Sequence, residues 1–314
     1  MAKKLFLVVP CYNEEEVIGE TNKRLKDKMN SLISQEKISS ESKIVYVNDG
    51  SKDKTWDLIC NMHTEDDIVL GICLSRNKGH QNALLAGLMT VKDLCDVAIS
   101  LDADLQDDIN AIDNMVDKYL EGNDIVYGVR SSRTTDTFFK RSTAQGVYKI
   151  MNLLGVEVVY NHADYRLMSK RALEALSEFH EYNIFLRGMV PLVGFKSDVV
   201  YYERNERFAG ESKYPLKKML AFAFEGITSF SIKPIRMITT LGALVFFLSF
   251  VMLIYTVSRF FAGETVSGWS SLIISIWSLG GLQLLGIGVI GEYIGKIYLE
   301  TKARPKYIIK EFLK

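Results

Sequence analysis

The chain carries 38 basic and 38 acidic residues over 314 positions, a formal net charge of zero, so no global field draws it toward nucleic acid. With 48% apolar residues it has ample material for a core, in one large domain or two modest ones, and is excluded from the disordered polyelectrolytes. Its four cysteines (Cys11, Cys60, Cys73, Cys95) show no metal-ligand spacing and read as reduced packing thiols rather than a disulfide framework.

From the N-terminus, short β-rich runs alternate with helical patterns. Leu5–Pro10, Ile44–Asn48, Ile68–Leu74, Val97–Leu101 and Ile125–Gly128 predict strands, and 14–34, 53–64, 80–92 and 108–121 predict helices between them. Such alternation predicts an α/β fold whose mostly parallel sheet is covered on both faces. Ligands of these sheets bind beyond the carboxyl ends of the strands. The polar clusters fall at those ends: Pro10-Cys11-Tyr12-Asn13-Glu14-Glu15, Asn48-Asp49-Gly50-Ser51, Ser75-Arg76-Asn77 and Asp102-Ala103-Asp104. No signal peptide is expected, since Met1-Ala2-Lys3-Lys4 leads only into a short apolar strand.

The last third changes character. Residues 215–233 set Lys217 and Lys218 against Met219, Leu220, Phe222, Phe224 and Phe230, an amphipathic pattern suited to a membrane interface or, alternatively, to a core helix. Ile238 to Val257 and Leu272 to Gly291 then run without a charge. About 20 residues at roughly 1.5 Å rise just cross a bilayer core, so two C-terminal transmembrane helices are expected. Glycines in these runs, Gly280, Gly281, Gly286 and Gly288 among them, permit close helix contact and are compatible with a homotetramer. Lysines and arginines flank the outer ends, while Arg259 is the only basic residue between the runs. The positive-inside rule then puts both termini in the cytoplasm and the 258–271 loop outside, giving a multi-pass protein of the cell membrane.

The most telling segment is Ile99-Ser100-Leu101-Asp102-Ala103-Asp104-Leu105-Gln106-Asp107, where an apolar strand ends in carboxylates two residues apart. Like charges this close repel unless a cation lies between them, and Asp102, Asp104 and the Gln106 carbonyl are hard oxygen ligands suited to Mg2+ or Mn2+. Such an ion would bridge the diphosphate of a nucleotide sugar. Helix capping by the same aspartates is the alternative.

Taken together, VVPCYNEEEV at 8–17, VNDGSKDKT at 47–55, NKGHQNAL at 77–84, SLDADLQD at 100–107, YGVR at 127–130, ADYRLMS at 163–169, ERNERFAGESKYPLKK at 203–218 and GEYIGKIYLETKARPKY at 291–307 carry a resemblance. The chain resembles the family-2 glycosyltransferases of the GT-A (Rossmann-like) fold, in the branch that includes dolichyl-phosphate mannose synthase and the bactoprenol glucosyltransferases. The resemblance implies that Pro10, Tyr12, Asn13, Glu14, Asp49, Lys78, Asp102 and Ala103 bind the nucleotide sugar, with Asp102, Asp104 and Gln106 as metal ligands. It implies a role on the acceptor side for Asp164, for which an ion pair with Arg166 is the alternative, and puts Arg207, Ser212, Lys213 and Tyr214 in a mobile loop near the donor. A phosphate acceptor must approach a diphosphate of like sign, which calls for fixed cations, and Arg130, Arg141, Arg207 and Lys213, with Ser212, are the candidates.

The resulting expectation is inverting, metal-dependent transfer of a hexose to undecaprenyl or another polyisoprenyl phosphate. Glucose from UDP-glucose comes first, with N-acetylglucosamine, galactose and mannose open. Asp164, Arg207 and Asp104 are the catalytic candidates. Residues 1–212 would form the cytoplasmic catalytic domain, 213–234 an interfacial helix, 235–292 the membrane hairpin and 293–314 a cytoplasmic tail. A processive polysaccharide synthase fits less well, because none of Trp56, Trp269 and Trp277 follows an arginine as its Gln-x-x-Arg-Trp element requires. A non-catalytic membrane scaffold that has kept the fold would be told apart by its failure to transfer sugar.

Overall fold

The computed structural model of the chain describes residues 2–131, 162–181, 184–203, 233–262 and 268–314. Five strands and four helices open it in strict alternation: β1 (Leu5–Cys11), α1 (Ile18–Ser34), β2 (Lys43–Asn48), α2 (Thr55–Glu65), β3 (Val69–Leu74), α3 (His80–Val91), β4 (Val97–Ser100), α4 (Ala111–Leu120) and β5 (Ile125–Arg130). Then come β6 (His162–Ser169), α5 (Lys170–Ser177), α6 (Leu186–Leu192), β7 (Ser197–Tyr202), the long helices α7 (Lys233–Phe261) and α8 (Trp269–Thr301), and β8 (Ile309–Leu313).

Among the described residues one sheet of eight strands runs in the order β7-β5-β6-β4-β1-β2-β3-β8. Every residue of β1 is buried, which is why it reads as an unbroken apolar run rather than an alternating one. Helix α1 covers the sheet with Ile18, Thr21, Leu25, Met29 and Leu32, one face at helical spacing. Helix α3 lies so close over β1 and β2 that a Cβ on Gly87 would sit 2.4 Å from Val8 and 2.7 Å from Val47.

Strands β4, β1, β2 and β3 are parallel neighbours. The chain leaves β1 toward β2 and β3, then returns to place β4 on the other side of β1. Between β1 and β4 the sheet therefore has its topological switch point, where a crevice opens beyond the strand ends. Strand β6 runs antiparallel between β4 and β5, and β8 runs antiparallel along β3.

Helices α1 and α4 start four and three residues later than their sequence pattern, and α2 two residues later. Residues 14–17 form a turn, with the Val17 amide donating to the Glu14 carbonyl at 3.1 Å, so α1 begins at Ile18. Asp108 turns the chain before α4, accepting from the Asn110 amide at 2.9 Å.

The chain divides into two compact units. One holds the sheet with its helices and includes the last segment, Arg304–Lys314; the other holds α7 and α8. The expected tail is thus partly a strand of the sheet unit. Within the second unit α7 contains the whole uncharged run 238–257, and Gly286 of α8 faces Ile238 of α7, where a Cβ would come to 3.4 Å. Among the described residues the stretch Leu279–Thr301, with a mean hydropathy of 1.2 and almost wholly exposed, is long and apolar enough to cross a membrane.

Candidate active site

The loops after β1, β2 and β3 brace one another. Pro10 is buried at the end of β1, while Tyr12 beyond it is 41% exposed. Asn13 adopts a left-handed backbone (φ 54°); its amide donates to Ser51 Oγ at 3.0 Å, and its side-chain oxygen accepts from the Lys52 amide at 2.9 Å. The Glu14 amide donates to Thr55 Oγ1 at 2.9 Å. Asp49 is buried, and its two oxygens accept from the backbone amides of Lys78 at 2.7 Å and Gly79 at 2.9 Å. Burial raises the Asp49 pKa against the lowering effect of those amides. Gly50, at φ 65°, lets this loop close on the next, since a Cβ there would lie 2.5 Å from the Asn77 nitrogen.

Asp102, Ala103, Asp104 and Gln106 follow β4 at the switch point. The Ala103 carbonyl accepts from buried Thr21 Oγ1 at 2.7 Å, and Leu105 turns the chain through a left-handed backbone (φ 58°). Asp104 Oδ1 accepts from the Gln106 amide at 3.1 Å. Asp102 Oδ1 is buried and accepts no hydrogen bond. Burial pushes the Asp102 carboxyl up to about 6; His80 opposes the rise, and Asp107, Asp164 and Asp104 add to it. Asp102 Oδ1 thus makes no hydrogen bond, faces His80, and lies among the like charges of Asp104, Asp107 and Asp164, a carboxylate-rich setting that suits a divalent cation. Among the described residues no group of three or more His, Cys, Asp or Glu is arranged to hold a metal ion.

Asp164, on β6, is buried against Asp102's neighbourhood. Its Oδ1 accepts from Arg166 Nη2 at 2.6 Å, and its Oδ2 accepts from Arg187 Nη2 at 3.1 Å. His80, the first residue of α3, stands with Nε2 3.4 Å from Asp102 Oδ1 and 3.6 Å from Asp164 Oδ2. Burial works against ionisation of Asp164, but Arg187, His80 and Arg166 outweigh it and hold its pKa well below the usual carboxylate range. Burial likewise opposes charge on His80, yet Asp164 and Asp102 raise its pKa to about 9. The ion pair weighed for Asp164 is therefore present, as part of a larger charge cluster. Arg166 is 1% exposed and also donates to the Leu186 carbonyl at 3.1 Å, while the Leu186 amide donates to Gln81 Oε1 at 3.0 Å. These bonds tie the start of α6 to α3 and β6.

Arg130 ends β5, and its Nη2 donates to Asp107 Oδ1 at 3.3 Å. Lys78 is half-buried, with its carbonyl accepting from Asn82 Nδ2 at 2.8 Å. The other expected acceptor-side residues, Arg141, Arg207, Ser212 and Lys213, lie outside the described residues, as does nearly all of the amphipathic segment 215–233.

His80 and Arg187 were not among the site residues expected from sequence. His80 had a usable signal, since it directly follows Gly79 in the polar stretch beyond β3, the side of the sheet where the other polar clusters fall. Arg187 had none, because α6 is seven residues long and carries a proline.

Residues 6–177 match the family model described as glycosyl transferase family 2. An uncharacterized glycosyltransferase of Bacillus subtilis (strain 168), YkoT, is 58% identical over 305 residues, 97% of this chain and 90% of that one. A prophage bactoprenol glucosyl transferase homolog of Escherichia coli (strain K12) is 42% identical over 99% of this chain and 100% of its own length. The bactoprenol glucosyl transferase of Shigella phage SfV is 43% identical over 98% of each. With its carboxylate loop at the switch point of a mostly parallel GT-A sheet, the chain belongs to glycosyl transferase family 2.

Proposed function

We propose that this protein transfers a hexose, glucose from UDP-glucose in the first instance, to a polyisoprenyl phosphate such as undecaprenyl phosphate at the cytoplasmic face of a membrane. The observation that carries this reading is the near-full-length similarity to bactoprenol glucosyl transferases. The apolar stretch Leu279–Thr301 supports a membrane setting, and the uncharged run 238–257 in α7 would be the second span of a hairpin.

In the reaction a phosphate oxygen of the lipid attacks the anomeric carbon, the bond to the nucleotide diphosphate breaks, and UDP leaves with the electron pair. One displacement converts an α-linked donor into a β-linked lipid phosphosugar. Pro10, Tyr12, Asn13, Glu14, Asp49, Lys78 and Ala103 would line the nucleotide side, on the loops at the ends of β1 to β4. Asp102, Asp104 and Gln106 would hold a divalent cation, Mg2+ or Mn2+, whose charge offsets that of the departing diphosphate.

A lipid phosphate is already ionised near neutral pH, so no strong general base is required. Asp164, with both oxygens engaged by arginines, would serve to orient His80 and Arg187 rather than to take a proton. Arg130, Arg141, Arg207, Ser212 and Lys213 would receive the acceptor phosphate, arginine being favoured for its forked donors.

The test is to incubate purified protein with undecaprenyl phosphate and a panel of labelled nucleotide sugars, with and without EDTA. Label from UDP-glucose is expected in the lipid phase, and it should disappear in EDTA and in Asp102→Asn. No lipid label from any sugar would overturn the transferase reading, and full activity in chelator would overturn the metal assignment.

A further inference from the structure

Arg130 and Tyr202 are register partners at the carboxyl ends of the parallel strands β5 and β7, so their side chains leave the same face of the sheet. The strand ends are pinned together there, since both the amide and the hydroxyl of Ser131 donate to the Tyr202 carbonyl, at 2.9 and 3.1 Å. Asp107 reaches the pair from the loop that follows β4. The Tyr202 hydroxyl donates to Asp107 Oδ1, Arg130 Nη2 donates to the same oxygen at 3.3 Å, and Arg130 Nε donates to the Tyr202 hydroxyl at 3.3 Å. The three groups close a ring.

Burial makes the ring consequential. The Asp107 side chain is 3% exposed and that of Arg130 is 25% exposed, so a charge is anchored inside while its cation reaches the surface. Tyr202 is also buried and packs its ring edge-on against Tyr165 at 5.3 Å, so the phenol has little freedom to turn away. An arginine otherwise has several rotatable bonds and would present its fork in many positions. Two of its donors are engaged here by buried groups. The same Asp107 adjoins Gln106, so the ring also links the carboxylate loop to the end of β5.

We infer that Asp107 and Tyr202 are positioning residues for Arg130, fixing its guanidinium so that its remaining donors meet the phosphate of the acceptor. This rests on the reading of Arg130 as an acceptor-phosphate ligand. Neither Asp107 nor Tyr202 touches the reacting atoms in this scheme. Their effect passes through Arg130.

The experiment compares Tyr202→Phe, Asp107→Asn, Arg130→Ala and the double variant Tyr202→Phe/Arg130→Ala, in full-length protein. Initial rates are measured against undecaprenyl phosphate concentration, and UDP-glucose affinity is measured by calorimetry. Tyr202→Phe keeps the packing on Tyr165 and removes only the hydroxyl; it should raise the acceptor KM roughly 10-fold and leave donor affinity unchanged. Asp107→Asn should act in the same direction. In the Arg130→Ala background Tyr202→Phe should have no further effect, because there is no longer a fork to position. A Tyr202→Phe penalty equally large with and without Arg130 would overturn the inference, as would unchanged acceptor KM in both Tyr202→Phe and Asp107→Asn. Unchanged acceptor KM in Arg130→Ala would strike the underlying reading of Arg130 instead, and the positioning role would fall with it.

Discussion

At the scale of single residues, the site is built by carboxylates that hold other groups in place. Asp49 shows this most directly: its carboxylate is committed to the amides of Lys78 and Gly79, so it shapes the loop through which Lys78 and His80 are presented. Asp49→Asn keeps the shape but turns one acceptor oxygen into an NH2 group facing a backbone donor. A hydrogen bond to a charged group contributes about 1.5–3 kcal/mol, so UDP-glucose affinity should fall roughly 10-fold or more. Calorimetric titration with UDP-glucose checks this, and unchanged affinity would show that the 78–79 loop does not contribute to the donor site. The sequence made Asp49 and the Asp102–Asp104 pair legible because each follows a clear strand. It did not reveal that Asp49 faces inward to a loop 29 residues on, which is a property of packing. Asp164 was legible only as one half of a local pair with Arg166. Arg187 and His80 come to it from two separate helices, and no spacing in the chain records that meeting.

At the scale of elements, the order and kind of the alternating first half were readable, with helix starts off by up to four residues, since buried parallel strands are continuous apolar runs set between amphipathic helices. Strands β6, β7 and β8 were not. The burial of β7 is mixed, and β8, Ile309–Leu313, is a half-exposed edge strand that carries a lysine and a glutamate, so neither shows a clean period. Yet β8 pairs with Gly71–Leu74 of β3 and continues past it, the Ser75 amide donating to the Ile308 carbonyl at 2.9 Å. It thereby steadies the segment from Ser75 into the Lys78-Gly79 loop. Ending the chain after Ala303 should leave the edge of β3 unpaired, and the amides of Ser75 and of β3 should lose protection from hydrogen exchange. Loss of the strand's bonds should lower the melting midpoint by at least about 4 °C, taking about 2–4 °C per kcal/mol for a domain of this size. Unaltered exchange at Ser75 and along β3 in the shortened protein would show that the tail is dispensable to the sheet.

At the scale of the whole molecule, the pairing of β8 with β3 constrains how the chain can meet a membrane. The chain leaves the sheet before α7 and returns to the same sheet after α8, so any crossings between those points must be even in number. Helices of 29 and 33 residues extend about 44 and 50 Å, each more than a bilayer core requires. Their exposed apolar side chains, among them Leu244, Phe247, Val251, Leu284, Leu285 and Ile287, would be costly in water. The proposed hairpin would make two crossings, with the segment between α7 and α8 outside and the sheet inside, in keeping with the basic residues Lys233, Arg236, Lys296, Lys302 and Arg304 that flank the apolar runs. Single cysteines test this in a variant whose four native cysteines are replaced. Ala262→Cys marks the end of α7 and Ser40→Cys the sheet unit, and both positions are exposed. An impermeant thiol reagent on intact cells should label Ala262→Cys and reach Ser40→Cys only after lysis. The reverse pattern would invert the orientation, and protection of both until lysis would show that the hairpin does not cross.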